Sequence, residues 1–85
     1  MKLSLITPFA KKTTIIAWLE LNTSEGNFVI LDGHAPTILM LSPNKKVTYG
    51  LPNGKQESCI SHRGIADIQR ETATLILDSM EKIGL

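Results

Sequence analysis

Residues 25–36 read EGNFVILDGHAP, and the reading of this stretch decides the fold. Glu25-Gly26 has the chemistry of a turn. Residues 28–31 are an uncharged apolar run of strand length, too short for a helix of its own. Asp32, Gly33, His34, Ala35 and Pro36 then stop the run with a polar, punctuated corner. Turn, short apolar run and second turn in such quick succession is the cadence of an antiparallel β protein.

The same cadence extends in both directions. Residues 2–7 form a first strand, ended at Pro8, which has no ladder donor. Residues 13–22, TTIIAWLELN, read as one β-rich strand. It is too apolar for strict alternation, which predicts a bulge or burial on both faces. After the corner, TILML at 37–41 is another strand, closed by Ser42-Pro43. Val47, Tyr49 and Leu51 alternate with polar or small residues, as in a half-buried strand. Asn53-Gly54 predicts a two-residue type I′ hairpin returning through residues 55–62. Residues 64–68 and 73–78 form a last hairpin in which Ala73, Leu75 and Leu77 share a face. The tail SMEKIGL spaces Met80 and Ile83 helically but is too short for a stable helix, so a frayed end or one docked turn is expected. The expected architecture is all-β: a two-sheet antiparallel sandwich of roughly eight to ten short strands. It is one domain over residues 1–85, with its core at about 3–78 and a short tail at 79–85.

Composition narrows the function. Hydrophobic residues are 42% of the 85, enough for a packed core. Nine basic and eight acidic residues leave a net charge of +1, which provides no basic stripe for nucleic acid. Lys45, Lys46 and Lys55 read as the solvated side of a hairpin. The single cysteine, Cys59, excludes an intrachain disulfide and a cysteine zinc site, and fits a reducing compartment. MKLSLITPFAKK faintly resembles a signal peptide, but Thr7-Pro8 interrupts its apolar run. No run approaches the ~20 apolar residues of a membrane span.

Chemistry-bearing groups are few. Cys59 and His62 are the types for a thiolate nucleophile, yet at i and i+3 on a strand they face opposite ways. Asp32 and His34, at i and i+2, share a face, but two ligands without a third do not make a metal site. The glycines never cluster into a phosphate-binding loop. No catalytic, metal or cofactor residue is therefore assigned. His34 is expected as a half-buried imidazole with both nitrogens bonded near Pro36. What remains is apolar surplus. With Ile15, Leu19 and Leu21 inward, Ile16 and Trp18 point outward, and Leu39 and Met40 pose the same problem. Outward apolar groups on a small sandwich make a docking surface.

In order, LITP, SEGNFVILDGHAP, TILML, Pro43, the Asn-Gly turn, SHRGIADI and ATLILD resemble the N-terminal β-sandwich domain of the epsilon subunit of rotary F-type ATP synthases, called delta in mitochondria. The family's EGxxGIxPGHAPLL lies at this place, followed by GG-[IF]-x-x-V and V-T-V-L strands. The similarity covers about residues 3–78. Departures are Val29 for the motif's second Gly, Asp32 for the Pro before GHAP, Asn44 for the Gly after Pro43, and Arg63 for the first Gly of the later pair.

The resemblance implies a non-catalytic central-stalk subunit that docks gamma onto the c-ring and couples proton or sodium flow to ATP synthesis. It would sit at the cytoplasmic face of the inner or plasma membrane, peripheral and not inserted. Carried over, Thr7, His34 and Leu39 face gamma, and Glu25, Gly26 and Asn27 lie against the c-ring loops. Met40 and Phe28 join the two sets through their apolar character. The family's C-terminal helical hairpin would begin after Asp78, where seven residues remain, so neither that hairpin nor an ATP site is expected in this chain. The competing readings are a free-standing β-sandwich adaptor and a small enzyme or metal protein using Asp32 and His34.

Overall fold

A computed structural model describes residues 1–83. Among them ten strands form two five-stranded sheets. The first sheet has the order β2 (Lys11–Ile15), β1 (Lys2–Ile6), β9 (Thr72–Leu77), β8 (Gly64–Ile68), β5 (Thr37–Met40). The second has the order β10 (Glu81–Ile83), β7 (Gln56–Ser61), β6 (Lys45–Gly50), β3 (Trp18–Thr23), β4 (Gly26–Ile30). All pairings are antiparallel except β1 with β9, which run parallel.

Alternation explains the core. Leu3 and Leu5 of β1, Ala73 and Leu75 of β9, and Ala66 and Ile68 of β8 lie directly opposite one another and are buried. Leu19 and Leu21 of β3 with Val47 and Tyr49 of β6 supply the facing layer. The shared face expected for Ala73, Leu75 and Leu77 is present, and all three are buried.

The stretch 13–22 is not one bulged strand. It divides at Ile16 and Ala17, so β2 belongs to the first sheet and β3 to the second. At the step the Ile16 N–H donates to the Met1 carbonyl at 2.8 Å and the Ala17 N–H to the Gly50 carbonyl at 2.7 Å. The switch reverses the expected phase: Ile16 is 2% exposed and Ile15 is 59% exposed. Trp18 does lie on an outer face, where its indole crosses Gly50.

Two further expectations are corrected. Asn53-Gly54 does not form a type I′ turn, which needs positive φ at both residues; Gly54 has φ 89° and Asn53 does not share the left-handed region. Pro52 at the first central position favours a type I turn closed by the Gly54 N–H on the Leu51 carbonyl at 3.0 Å. Left-handed Gly54 then completes a three-residue loop, with the Leu51 N–H on the Lys55 carbonyl at 2.8 Å. The tail is also no helical turn. Residues 81–83 are β10, antiparallel to β7. Residues 84 and 85 of the expected tail lie outside the described residues. Asn44, after Pro43, adopts the left-handed conformation that asparagine tolerates, with φ 58°.

Gly50 is required by the close approach of Trp18. A Cβ there would lie 2.2 Å from Trp18 Nε1 and 2.4 Å from Cε2, well inside contact distance. Gly50→Ala should therefore lower unfolding stability by about 1–3 kcal/mol, the usual cost of overpacking. Urea denaturation followed by Trp18 fluorescence measures it. Unchanged stability would mean the indole is not held against the strand.

Candidate interaction surface

The register shows which residues share a surface. Directly opposite residues in neighbouring strands point to the same face. Across the outside of the first sheet, Ile6 of β1, Ile76 of β9, Ile65 of β8 and Met40 of β5 form one row. Ile76, Ile65 and Met40 are exposed. The row two residues down is Ser4, Thr74, Asp67 and Ile38, polar except at the β5 edge. The apolar strip thus lies towards one end of the sheet and turns along β5.

That end carries the turns 7–10 and 23–26. In the first, the Thr7 N–H donates to the Ala10 carbonyl at 2.9 Å. Thr7 Oγ1 accepts from the N–H groups of Phe9 at 3.3 Å and Ala10 at 3.1 Å. These bonds fix a tip from which Phe9 projects 95% exposed. In the second turn, Thr23 Oγ1 accepts from the Glu25 N–H at 3.1 Å and donates to the Gly26 carbonyl at 3.0 Å. Glu25, Gly26 and Asn27 are exposed beyond it, and Phe28 packs partly against the core.

The corner 31–36 lies at the opposite end. The His34 N–H donates to the Leu31 carbonyl at 3.1 Å, and Gly33 has φ 84°. Positive φ at the third residue only is the mark of a type II turn, which is why glycine stands there. Asp32 occupies the position where proline would pre-set φ, and its carboxylate takes the Met1 ammonium at 3.2 Å. The Gly33 N–H donates to the Arg70 carbonyl at 2.7 Å, tying the corner to the β8–β9 turn. His34 is half-buried as expected, but only one of the two expected ring bonds forms, between Nδ1 and the Ala35 carbonyl at 2.8 Å.

The residues assigned to a gamma-facing set are thus not one cluster. Thr7 and Met40 share an end, while His34 stands at the other. Leu39 turns inward and packs on the core, because β5 alternates Leu39 in and Met40 out. Glu25, Gly26 and Asn27 lie on the Thr7 side. The surface that sequence reasoning missed is Ile6, Ile65, Ile76 and Phe9. One signal was available: with Ala73, Leu75 and Leu77 inward, Ile76 is necessarily outward.

The ionisable groups with the most hydrogen-bond partners hold strands and turns together. Glu57 Oε1 accepts from the Tyr49 hydroxyl at 2.8 Å and the Lys12 ammonium at 3.3 Å, joining the two sheets. Burial first, then the hydrogen bond to Glu57 and its charge, push the Tyr49 phenol far above its ordinary value. Asp78 Oδ1 accepts from the Arg63 N–H at 3.0 Å and Ser61 Oγ at 3.3 Å. Desolvation raises this carboxyl, but those bonds and that of Ser79 outweigh it and leave the group below its usual range. Cys59 points into the core while His62 is exposed and bonded to Asn44, so the two do not meet. Among the described residues no three His, Cys, Asp or Glu side chains converge.

This arrangement defines a small β-sandwich whose distinctive outer feature is an apolar strip bordered by hydrogen-bonded turns. The sequence matches the family described as ATP synthase, Delta/Epsilon chain, beta-sandwich domain over residues 1–83, and the chain belongs to that family. Its fold is shared by a chain in the cryo-EM structure of the Euglena gracilis mitochondrial ATP synthase, OSCP/F1/c-ring in rotational state 1. There the TM-score is 0.87 at 20% identity, covering 94% of this chain and 51% of that one. A chain of the Tetrahymena thermophila mitochondrial ATP synthase central stalk/c-ring structure gives a TM-score of 0.80 at 15% identity, covering 95% and 65%. The chain therefore spans about half to two thirds of these relatives' length. A search of curated proteins finds no match.

Burial pushes the Cys59 thiol up, with Lys12 pulling weakly the other way. A folded-state pKa above the unfolded value of about 8.5 means full stabilisation below that pH and loss as pH rises beyond it. Cys59→Ala should therefore show a flatter stability curve than the native chain between about pH 8.5 and 10, read by urea midpoints. The native thiol should react with a disulfide reagent only on unfolding, and rapid labelling of the folded chain would contradict its burial.

Proposed function

We propose that the chain is a non-catalytic rotor subunit of an F-type ATP synthase, docking gamma onto the c-ring and coupling proton or sodium flow to ATP synthesis. The observation that carries this reading is the in-register apolar row Ile6, Ile76, Ile65 and Met40, on a chain of the ATP synthase delta/epsilon family. A monomer in water gains nothing from exposing three large side chains side by side; a partner that covers them does.

In this reading gamma lies along the outside of the first sheet. Thr7 and Met40 are at one end of that contact and His34 at the other. Leu39 contributes by holding β5 against the core. The turn of Glu25, Gly26 and Asn27 meets the polar loops of the c-ring, with Phe28 anchoring it from behind. The chain sits peripherally at the cytoplasmic face of the membrane complex, and this part of it binds neither ATP nor metal. Its work is adhesion and stiffness, for which closely packed sheets are suited.

Purified gamma should capture the native chain at micromolar concentration or better. Ile76→Asp should cost about 2 kcal/mol or more of that affinity, roughly thirtyfold in Kd. Because Ile76 is exposed, its stability should change by only about 0.5 kcal/mol. Intact gamma that fails to bind would leave the adaptor reading instead. Binding that Ile76→Asp does not alter would move the contact off this face.

A further inference from the structure

We infer that the surface gamma presents to the first sheet is acidic at both borders of its apolar contact, with one carboxylate against Lys11 and another against Arg63. The inference rests on gamma as the partner and adds the chemistry by which gamma is recognised.

Register places the first cation. Lys11 stands opposite Ile6, so it extends the row Ile6, Ile76, Ile65 and Met40 by one strand at the β2 edge. The second cation lies at the end of the strip. Arg63 lines a recess of about 340 Å³ together with Met40, Ile65 and Ile76. Both residues are exposed. β2 and the start of β8 are three strand positions apart, roughly 14 Å at the usual spacing between strands.

Pairing decides the sign of the partner. Among the described residues, the charged groups of Lys11 and Arg63 have no ion pair and no hydrogen bond. The neighbouring carboxylates do have donors. Asp78 Oδ1 accepts from the Arg63 N–H at 3.0 Å and from the hydroxyls of Ser61 at 3.3 Å and Ser79 at 3.4 Å. Asp67 accepts from the Gln69 amide at 2.9 Å. The fold therefore supplies donors to the anions beside the strip and no acceptor to the cations. A partner that covers the row also strips water from its borders, and opposing carboxylates offset that loss.

Other occupants match this border less well. A second copy laid on the face about a two-fold axis sets cation against cation, whichever ends meet. Anionic bilayers are held by clusters of about four to eight basic residues, more than this border provides.

The test uses purified gamma and the full chain, with association and dissociation rates read by biolayer interferometry. Lys11→Glu should slow association about tenfold at roughly 50 mM salt. Native binding should weaken about three- to tenfold on raising salt to roughly 500 mM, and that of Lys11→Glu should change little. Arg63→Gln should weaken binding about two- to fivefold, while Arg63→Lys keeps the charge and should stay within about twofold of native. Urea midpoints of these variants should match the native chain, since both side chains are exposed. In the complex, a water-soluble carbodiimide, which joins an amine to a carboxylate in direct contact, should link Lys11 to an Asp or Glu of gamma. Gamma that binds native, Lys11→Glu and Arg63→Gln chains alike at low salt overturns the inference and leaves the docking proposal standing. The same holds if the complex forms and Lys11 links to no carboxylate of gamma. Capture of the chain by anionic vesicles in preference to gamma, or a doubling of its mass that Lys11→Glu abolishes, also overturns it. Gamma that fails to bind the native chain removes both.

Discussion

Between Ile15 and Trp18 the chain leaves one sheet and enters the other, and two backbone hydrogen bonds at Ile16 and Ala17 hold the step. The rest of the molecule follows from that step. It buries Ile16 at the mouth of the core and turns Ile15 to solvent. It places Trp18 across Gly50, which seals part of the second sheet's outer face. It also lets β1 form a hairpin with β2 on one side while taking β9 in parallel on the other. A continuous ten-residue strand in one sheet would leave the other without β3 and its inward Leu19 and Leu21.

The sequence reveals alternation wherever a strand lies on one side of the core. Ala73, Leu75 and Leu77 are legible because Thr74 and Ile76 separate them on a regular pleat. The corner at Gly33 is legible because glycine and the following Pro36 restrict the backbone locally. The sheet switch is not legible, because TTIIAWLELN contains no glycine or proline to mark it. The Ile16 and Ala17 bonds that define it come from Met1 and Gly50, remote in sequence. The Asn-Gly signal misleads for a similar reason. Pro52 imposes its own φ one position earlier and moves the left-handed residue to Gly54 alone. β10 is hidden because a three-residue strand has no periodicity of its own and forms only where β7 offers an edge.

The interaction surface divides along the same line. Glu25, Gly26 and Asn27 are readable as a projecting turn, since local chemistry makes them one. Thr7 is readable as the end of β1, but its value as the acceptor that locks Phe9 outward depends on the turn's geometry. Ile6, Ile65 and Ile76 come from three separate strands, and only the register places them side by side. Leu39 and Met40 look equivalent in TILM until pairing with β8 sends one inward and the other out.

The polar groups between and beside the strands are engaged by the fold itself. Glu57 accepts from Tyr49 and Lys12 at the flank where β2 meets β7, so its charge is committed to joining the two sheets. Asp78 is committed to the Arg63 N–H and Ser61, which closes the β7–β8 turn onto the end of β9. Cys59 is held as a neutral thiol by the core around it. Each of these groups is engaged by the strands and turns it supports. Such fixed polar ties resist shear between the sheets, which hydrophobic contact alone permits, being non-directional. The two sheets are thereby joined by directional bonds as well as by packing.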